Sequence, residues 1–218
     1  MMTALKSRAV FLGAPGAGKG TQAKQVAESA KLAHISTGDM LRQEVAVGTA
    51  LGTQAKTFMD AGKLVPDDVI IGMVRTRIQL PDAKSAWILD GFPRTLPQAE
   101  ALDRNLSKES AVSHVIYFAV PEQVLFGRLT GRRTCSKCGA IWHLETKPTR
   151  QAGVCDLCGG ATVQRSDDHP DKIAKRLEEY KTLTAPLLAY YRERKILREI
   201  DANRSPAVVF QELLKLMH

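Results

Sequence analysis

The amino-acid sequence predicts an α/β protein of three layers, α/β/α, with helices on both faces of a central parallel sheet. Three observations carry this. Short, near-continuous apolar runs alternate with stretches of helical period, the pattern of parallel strands buried on both faces. The first run leads directly into a glycine-rich loop, Gly13 to Thr21, reading GAPGAGKGT, and then into a helix. The later runs stop at Asp90-Gly91, Pro121 and Asp201, residue types that end strands and open turns.

In chain order, residues 8–12 (RAVFL) form the first strand. Thr21 to Ala30 reads as a helix, with Ala23, Val26, Ala27 and Ala30 at the i, i+3, i+4, i+7 spacing of one face. Further strands are expected at 85–89 (SAWIL), 114–120 (HVIYFAV) and 196–200 (ILREI). Helical patterns fill roughly 39–61, 67–79, 95–104, 121–130, 171–195 and 206–217. Pro186 interrupts the longest of these and should kink it, because proline removes a backbone donor and crowds the preceding turn. Gly131 to Asp167 breaks the alternation: it holds all four cysteines and five glycines and has no helical period. It reads as a small inserted subdomain with its own means of support.

The chain has 218 residues, 44% hydrophobic and 25% charged, enough for one large core with insertions. No apolar run approaches the roughly 20 residues that span a bilayer. The apolar stretch Ala9–Leu12 stops at Gly13, too short for a signal-peptide core, so a cytoplasmic protein with no membrane partner is expected. The net charge of +8 suggests an anionic partner, and a small polyanion or merely a solvated basic surface fits it. Nucleic acid is not the expected one, since the basic residues are scattered and aromatics make up only 6%.

The loop carries the most chemistry. Gly13, Gly16, Gly18 and Gly20 let backbone N–H groups turn toward an anion. The helix that follows adds its positive end, and Lys19 adds a point charge. In the common form of this motif the residue after lysine is Ser or Thr and ligates magnesium. Here that residue is Gly20, and the hydroxyl comes one place later on Thr21. Magnesium used here would keep its shell of phosphate oxygens and water. Asp90, at the carboxyl end of the strand at 85–89, would order those waters, since such sheets bind ligands at that end.

Four further segments join arginines to turns or helix starts: STGDMLR (36–42), DGFPRTLPQAE (90–100), GRLTGRR (127–133) and QRSDDHPDKIAKRL (164–177). With GAPGAGKGT these closely resemble the adenylate kinase family, in its bacterial form with a long lid, in the right order over nearly the whole chain. The resemblance implies a P-loop fold and reversible phosphoryl transfer between magnesium-bound ATP and AMP to give two ADP, serving adenine-nucleotide homeostasis and salvage. It also implies a core from residues 1–35, 66–130 and 168–218, a small helical AMP-binding insert at 36–65, and a lid at 131–167. ATP, AMP and ADP would be the partners, and a monomer is expected.

Carried over position by position, the resemblance puts Gly16, Ala17, Gly18, Lys19, Gly20 and Thr21 on the ATP phosphates, with Lys19 on the transferring group. Thr37 and Arg42 would meet AMP, and Lys63, Leu64 and Val65 would line its pocket. Gly91, Phe92, Pro93 and Arg94 would hold the AMP phosphate, and Gln98 would hydrogen-bond the adenine. Arg128 and Arg132 would sit at ATP, with Ile141 and Trp142 near its ribose and base. Arg165 and Arg176 would bridge the phosphates of both nucleotides, while Asp167 and Asp168 fasten the lid. The catalytic set is then Lys19, Asp90, Arg94, Arg128, Arg132, Arg165 and Arg176. Gly131 and the Asp167-Asp168 region are the expected hinges.

The chemistry agrees with this set. An AMP phosphate oxygen is already an anionic nucleophile, so positioning and charge stabilisation are what the reaction needs. Guanidinium groups stay charged and grip phosphate bidentately. A lid closing over the phosphates would exclude the water that otherwise hydrolyses ATP.

Cys135-x₂-Cys138 and Cys155-x₂-Cys158, separated by 16 residues, have the spacing of a structural zinc site with no open coordination position. Two disulfides or four free thiols are the alternatives, and a reducing compartment disfavours the first. Metal would stiffen a segment too small to fold by burial alone. His143 is assigned to the lid, and His34, His114, His169 and His218 to structural or exposed positions; His218 lies outside the residues described below.

Three features depart from the family pattern: Trp142 replaces the usual Tyr, KPTRQAG (147–153) replaces an NPPK-like run, and Ala202 replaces a common Gly. They bear on donor-nucleotide preference. A kinase for UMP, CMP or GMP would keep the loop and arginines but usually lacks the cysteine lid. A P-loop GTPase would carry Ser or Thr after Lys19 and an N-K-x-D motif. A zinc and nucleic-acid-binding module would explain the cysteines and charge but not the loop or DGFPR.

Overall fold

The computed structural model describes residues 7–107 and 110–217. Five parallel strands form the central sheet: β1 (Arg8–Leu12), β2 (Ala33–Ser36), β3 (Trp87–Asp90), β4 (His114–Ala119) and, last in the chain, β8 (Leu197–Asp201). Their order is β2-β3-β1-β4-β8. In the β1–β3 register Phe11 lies opposite Asp90, and in the β2–β3 register Ser36 does, so three strand ends reach one rim of the sheet.

Side chains alternate across the sheet and feed two cores. Ala9, Phe11, Ile88, Ile116 and Phe118 face one side; Val10, Leu12, Trp87, Leu89 and Val115 face the other. The first face is covered by α1 (Lys19–Ala30), α6 (Glu122–Thr130), α7 (Pro170–Glu179) and α9 (Pro206–Leu216), through Val26, Leu129, Ile173 and Leu213. The second is covered by α2 (Thr37–Val47), α4 (Asp67–Ile78), α5 (Leu96–Asn105) and α8 (Leu187–Glu193), through Leu41, Val74, Leu102 and Leu187. These are the three predicted layers. Among the described residues no helix is long and apolar enough to cross a membrane.

The structure departs from the sequence expectations in three places. Strand β2 was not anticipated, because Ala33-His34-Ile35-Ser36 mixes polar and apolar residues over only four positions. The helical pattern at 39–61 is two helices, α2 and α3 (Ala50–Asp60). Gly48 closes α2 in the left-handed region at φ 78°, and the Thr49 hydroxyl accepts from Gly52 N–H to start α3. The helices pack backbone to backbone: a Cβ on Gly52 would lie 2.1 Å from the Glu44 carbonyl oxygen. In the pattern at 171–195, a π-helical turn over Tyr180–Thr184 precedes Pro186, which then opens α8. Proline lacks the N–H that an α-helix would use there, and the wider turn absorbs the mismatch.

Between α6 and α7 lies a separate antiparallel sheet of β5 (Arg132–Cys135), β6 (Ile141–His143) and β7 (Thr162–Val163), ordered β6-β5-β7. Two matching turns project from it. Gly139 N–H donates to Cys135 O at 3.0 Å and Cys135 N–H to Ala140 O at 2.9 Å; Gly159 N–H donates to Cys155 O at 2.9 Å and Cys155 N–H to Gly160 O at 2.8 Å. Both Gly139 and Gly159 have φ 70°, which explains the glycine after each cysteine pair. His143 supports the approach to this sheet. Its Nδ1 accepts from the N–H groups of Glu145 and Thr146, so Nε2 carries the proton and donates to Gly127 O at 3.3 Å.

Candidate active site

The loop after β1 and the ends of β2 and β3 share one rim of the sheet, the carboxyl rim. Gly16 and Gly18 have φ 85° and 91°, and Gly18 caps α1, so backbone N–H groups and the helix start face the same concavity. Lys19 Nζ donates to the carbonyls of Gly13 at 2.6 Å and Ala14 at 2.9 Å, which holds the ammonium inside the loop. Burial lowers its pKa to about 8. Asp90 opposes that shift, and Arg94, Arg176 and Arg132 reinforce it.

Asp90 ends β3 directly behind the loop. A Cβ on Gly20 would lie 3.0 Å from Asp90 Oδ2. His34 on β2 approaches the same carboxylate, with Nε2 3.6 Å from Oδ2, an ion-pair distance rather than a hydrogen bond. Burial pushes the Asp90 carboxyl up, but the neighbouring His34, Lys19 and Arg94 together outweigh burial and hold it below its ordinary value. His34, assigned from sequence to a structural or exposed position, therefore borders the site. Its position on an unrecognised strand hid it.

The turn after β3 is held at several points. Thr37 Oγ1 and Arg94 Nε both donate to Gly91 O, at 2.9 and 2.8 Å. The Phe92–Pro93 peptide bond is cis. Arg94 N–H donates to Gln98 Oε1 at 2.8 Å, and Thr184 Oγ1 donates to Arg94 O at 2.7 Å. Thr184 belongs to the π-helical turn, so that irregularity reaches the backbone of a site arginine. Burial lowers the Arg94 pKa, and the nearby Arg176 adds to the effect.

The remaining arginines arrive from α2 and from the segments flanking the small sheet. Arg132 grips Asp168 bidentately, at 2.7 Å from Nε and 2.5 Å from Nη2, and Arg176 donates to the same carboxylate at 2.9 Å. Asp168 is wholly buried, and Asp167 lies 3.1 Å from Arg176. Arg165 Nε donates to Thr134 Oγ1 at 2.9 Å. Burial, then Arg132 and Arg42, push the Arg165 pKa down to about 9. Arg42 pairs with Asp39 at 2.5 Å, and Ser166 Oγ donates to Asp60 Oδ1 at 2.8 Å, joining the segment after β7 to α3.

Lys19, Arg42, Arg94, Arg132, Arg165 and Arg176 are thus brought within electrostatic reach of one another. Arg128 stands apart: it donates to Ala202 O and Asn203 Oδ1, each at 3.2 Å, on the turn after β8. Trp142 is buried against Cys135 and Cys155, beneath the Lys147 ammonium 4.8 Å from its ring centre. Val65 is buried in the second core, near the α4 start. Sequence reasoning missed Asp67, His34, Thr134 and Thr184, which carry no motif and act through folded neighbours.

The four cysteine sulfurs lie within 4.8 Å of one another, with Cys135–Cys158 at 3.4 Å and Cys138–Cys155 at 3.7 Å. A disulfide needs an S–S distance of about 2 Å; all four thiols are free. A tetrahedron of sulfurs about 2.3 Å from zinc has edges of about 3.8 Å, which these separations approach. The Cys138 N–H outweighs burial, and with the Lys137 N–H it holds the Cys135 thiol down to about 6, whereas at Cys158 the Gly160 N–H is outweighed by the neighbouring Cys138 and Cys135 thiols, which push it up to about 12. A Cβ on Gly160 would lie 3.1 Å from the Cys135 sulfur and 3.4 Å from that of Cys158, so bare backbone is required beside the cluster.

A glycine loop at a helix start, with convergent cations at the carboxyl rim of a parallel sheet, defines a nucleotide-binding phosphotransferase. The comparisons with known proteins narrow this. The family model described as adenylate kinase matches residues 11–196. The chain is 50% identical over 205 residues to the adenylate kinase of Archaeoglobus fulgidus, covering 94% of each chain. It is 47% identical over 205 residues to that of Carboxydothermus hydrogenoformans, covering 94% of this chain and 96% of the relative. It is 46% identical over 209 residues to that of Clostridium acetobutylicum, covering 95% and 97%. The chain belongs to the adenylate kinase family. It is a nucleoside monophosphate kinase, moving a phosphoryl group reversibly between magnesium-bound ATP and AMP.

Proposed function

We propose that Gly16 to Thr21 hold the ATP phosphates, while Thr37, Arg42, Lys63, Leu64, Val65, Gly91 to Arg94 and Gln98 receive AMP. Arg132, Arg165 and Arg176 span the two phosphate groups. Arg128, Ile141 and Trp142 belong to the base and ribose side of ATP. The observation supporting this assignment is the convergence of Lys19, Arg94, Arg132, Arg165 and Arg176: beyond burial, Arg94, Arg176 and Arg132 help to lower Lys19, Arg176 helps to lower Arg94, and Arg132 helps to lower Arg165. Buried like charges repel, and a polyanion bound among them relieves that repulsion.

An AMP phosphate oxygen attacks the terminal phosphorus of ATP as the bond to the bridging oxygen breaks. The leaving charge stays on ADP, so no general base is needed. Lys19 and the arginines hold the groups in line and stabilise the equatorial oxygens. Magnesium arriving on ATP supplies charge neutralisation at the phosphate oxygens. Gly20 offers it no hydroxyl, so the role left to Asp90 is to orient water in its shell.

The segments at 36–65 and 131–167 act as the AMP insert and the lid on a core of residues 1–35, 66–130 and 168–218. Zinc on Cys135, Cys138, Cys155 and Cys158 is structural, supported by sulfur spacing and by the absence of a fifth donor among the described residues. The working form is a cytoplasmic monomer, with nucleotides rather than nucleic acid or membrane as partners. A coupled assay with ATP and each of AMP, GMP, UMP and CMP tests the assignment. AMP is the expected acceptor by a wide margin, and equal turnover of another monophosphate would overturn it.

A further inference from the structure

Gln98 is only 2% exposed, and its carboxamide is held from both ends. Its Oε1 accepts from Arg94 N–H at 2.8 Å, and its Nε2 donates to Asp67 Oδ1 at 2.7 Å. The other oxygen of Asp67 accepts from Thr95 Oγ1 at 2.8 Å, and Thr95 Oγ1 accepts from Gln98 N–H at 3.3 Å. One carboxylate at the start of α4 thus sets both the cap of α5 and the orientation of its Gln98.

We propose that Asp67 is the residue that fixes base selectivity at the acceptor site, by locking the Gln98 carboxamide against a flip; this rests on the reading of Gln98 as the contact to the acceptor base. A primary amide has two N–H donors and two acceptor lone pairs. Arg94 N–H takes one lone pair and Asp67 takes one donor, leaving one of each. Adenine presents an acceptor at N1 beside a donor at N6, whereas guanine presents a donor at N1 beside an acceptor at O6. A carboxamide that pairs with one edge must turn over to pair with the other. A carboxylate only accepts, so it rejects the flipped form, which would set Gln98 Oε1 against Asp67. A backbone N–H only donates, so it rejects the flip at the opposite end. Selectivity follows from the unpaired or opposed polar atoms that the wrong base would create.

Asp67 is a positioning residue, so its test reads selectivity. kcat and KM are measured for AMP and for GMP with saturating magnesium-ATP, on the full chain and on Asp67→Asn, Asp67→Glu and Gln98→Leu. Asparagine can either present its oxygen to Thr95 and donate to Gln98, or turn over to accept from Gln98 and donate to Thr95, so it releases the Asp67 end of the lock and keeps the shape. Asp67→Asn is expected to lower the AMP-to-GMP ratio of kcat/KM by about tenfold, the scale of one directional hydrogen bond. The change should fall mainly on KM. Asp67→Glu, which still only accepts, should restore most of the ratio. An unchanged ratio in Asp67→Asn alongside a collapsed ratio in Gln98→Leu overturns the role of Asp67. An unchanged ratio in Gln98→Leu instead overturns the base contact, and the proposal with it. Asp67→Ser, whose hydroxyl also donates or accepts, serves where Asp67→Asn does not fold.

Discussion

Gly20 and Asp90 approach closely: the Asp90 carboxylate oxygen sits 3.0 Å from where a Gly20 Cβ would be, so a side chain there would have to displace it. The loop that ordinarily carries a magnesium-binding hydroxyl has exchanged it for close approach of an acid from β3. Gly20→Ala should push Asp90 back and, if Asp90 orders metal-bound water as proposed, disturb that water. Turnover should drop by about tenfold or more, since small misplacements at a transfer site are costly. The melting temperature should move by only a few degrees. Wild-type turnover in folded Gly20→Ala, measured in the ADP-forming direction, would remove Asp90 from the site.

Lys19 is the group whose ionisation should be most visible. Its folded pKa, about 8, lies below the ordinary 10.5. The unfolded chain therefore binds more protons between these values, and this group's contribution to stability rises with pH across that window. Below about 8 the full cost of burying the charge is present. Bound phosphates favour the charged form, so ATP binding near pH 9 should take up a proton at Lys19. Calorimetry in buffers of differing ionisation enthalpy would detect that uptake, and Lys19→Gln should abolish it. Equal uptake in the variant would place the proton elsewhere.

The sheet was legible wherever a strand was an unbroken apolar run, as at Val10-Phe11-Leu12 and Ile88-Leu89. Strand β2 was not, because the polar His34 and Ser36 alternate with Ala33 and Ile35 over only four residues. The residues proposed to meet phosphate stand in motifs, since a phosphate demands glycine, lysine and arginine at fixed offsets. Those that position them do not. Asp67 meets Gln98 across 31 residues of chain, and Thr184 meets Arg94 across 90. Such contacts depend on how α4, α5 and the π-helical turn pack, and that packing has no local period.

Asp168 should be the most costly acid to remove. It is buried and accepts from Arg132 and Arg176 together. Asp168→Ala leaves Arg132 near other cations without its carboxylate and Arg176 with Asp167 alone, a loss of about 3–5 kcal/mol for a broken buried pair. Denaturant unfolding should report that loss, and saturating ATP should recover part of it, because phosphates replace the missing anion. A variant as stable as the parent without nucleotide would mean that the pairing contributes nothing.

Arg94 and the four-cysteine cluster should separate chemistry from scaffolding. Arg94 packs against Gly91 O within the turn it serves, so Arg94→Ala should lose most turnover while the melting temperature barely changes. Cys135 lies in the small lid core with Trp142 and Cys155, where little else is buried. A segment with so small a core is expected to draw on the proposed metal for its fold. Cys135→Ser, or prolonged chelation of the wild type, should therefore lower the melting temperature and quench or shift the Trp142 fluorescence. At low temperature the remaining turnover should stay within a few-fold of the parent, because no sulfur touches the phosphate site. The decisive result is the contrast between the two variants. If Cys135→Ser abolished turnover at low temperature with the lid still folded, metal would belong to the chemistry. If it changed neither melting nor fluorescence, and the purified protein held no zinc, the lid would be held by its hydrogen-bonded turns alone.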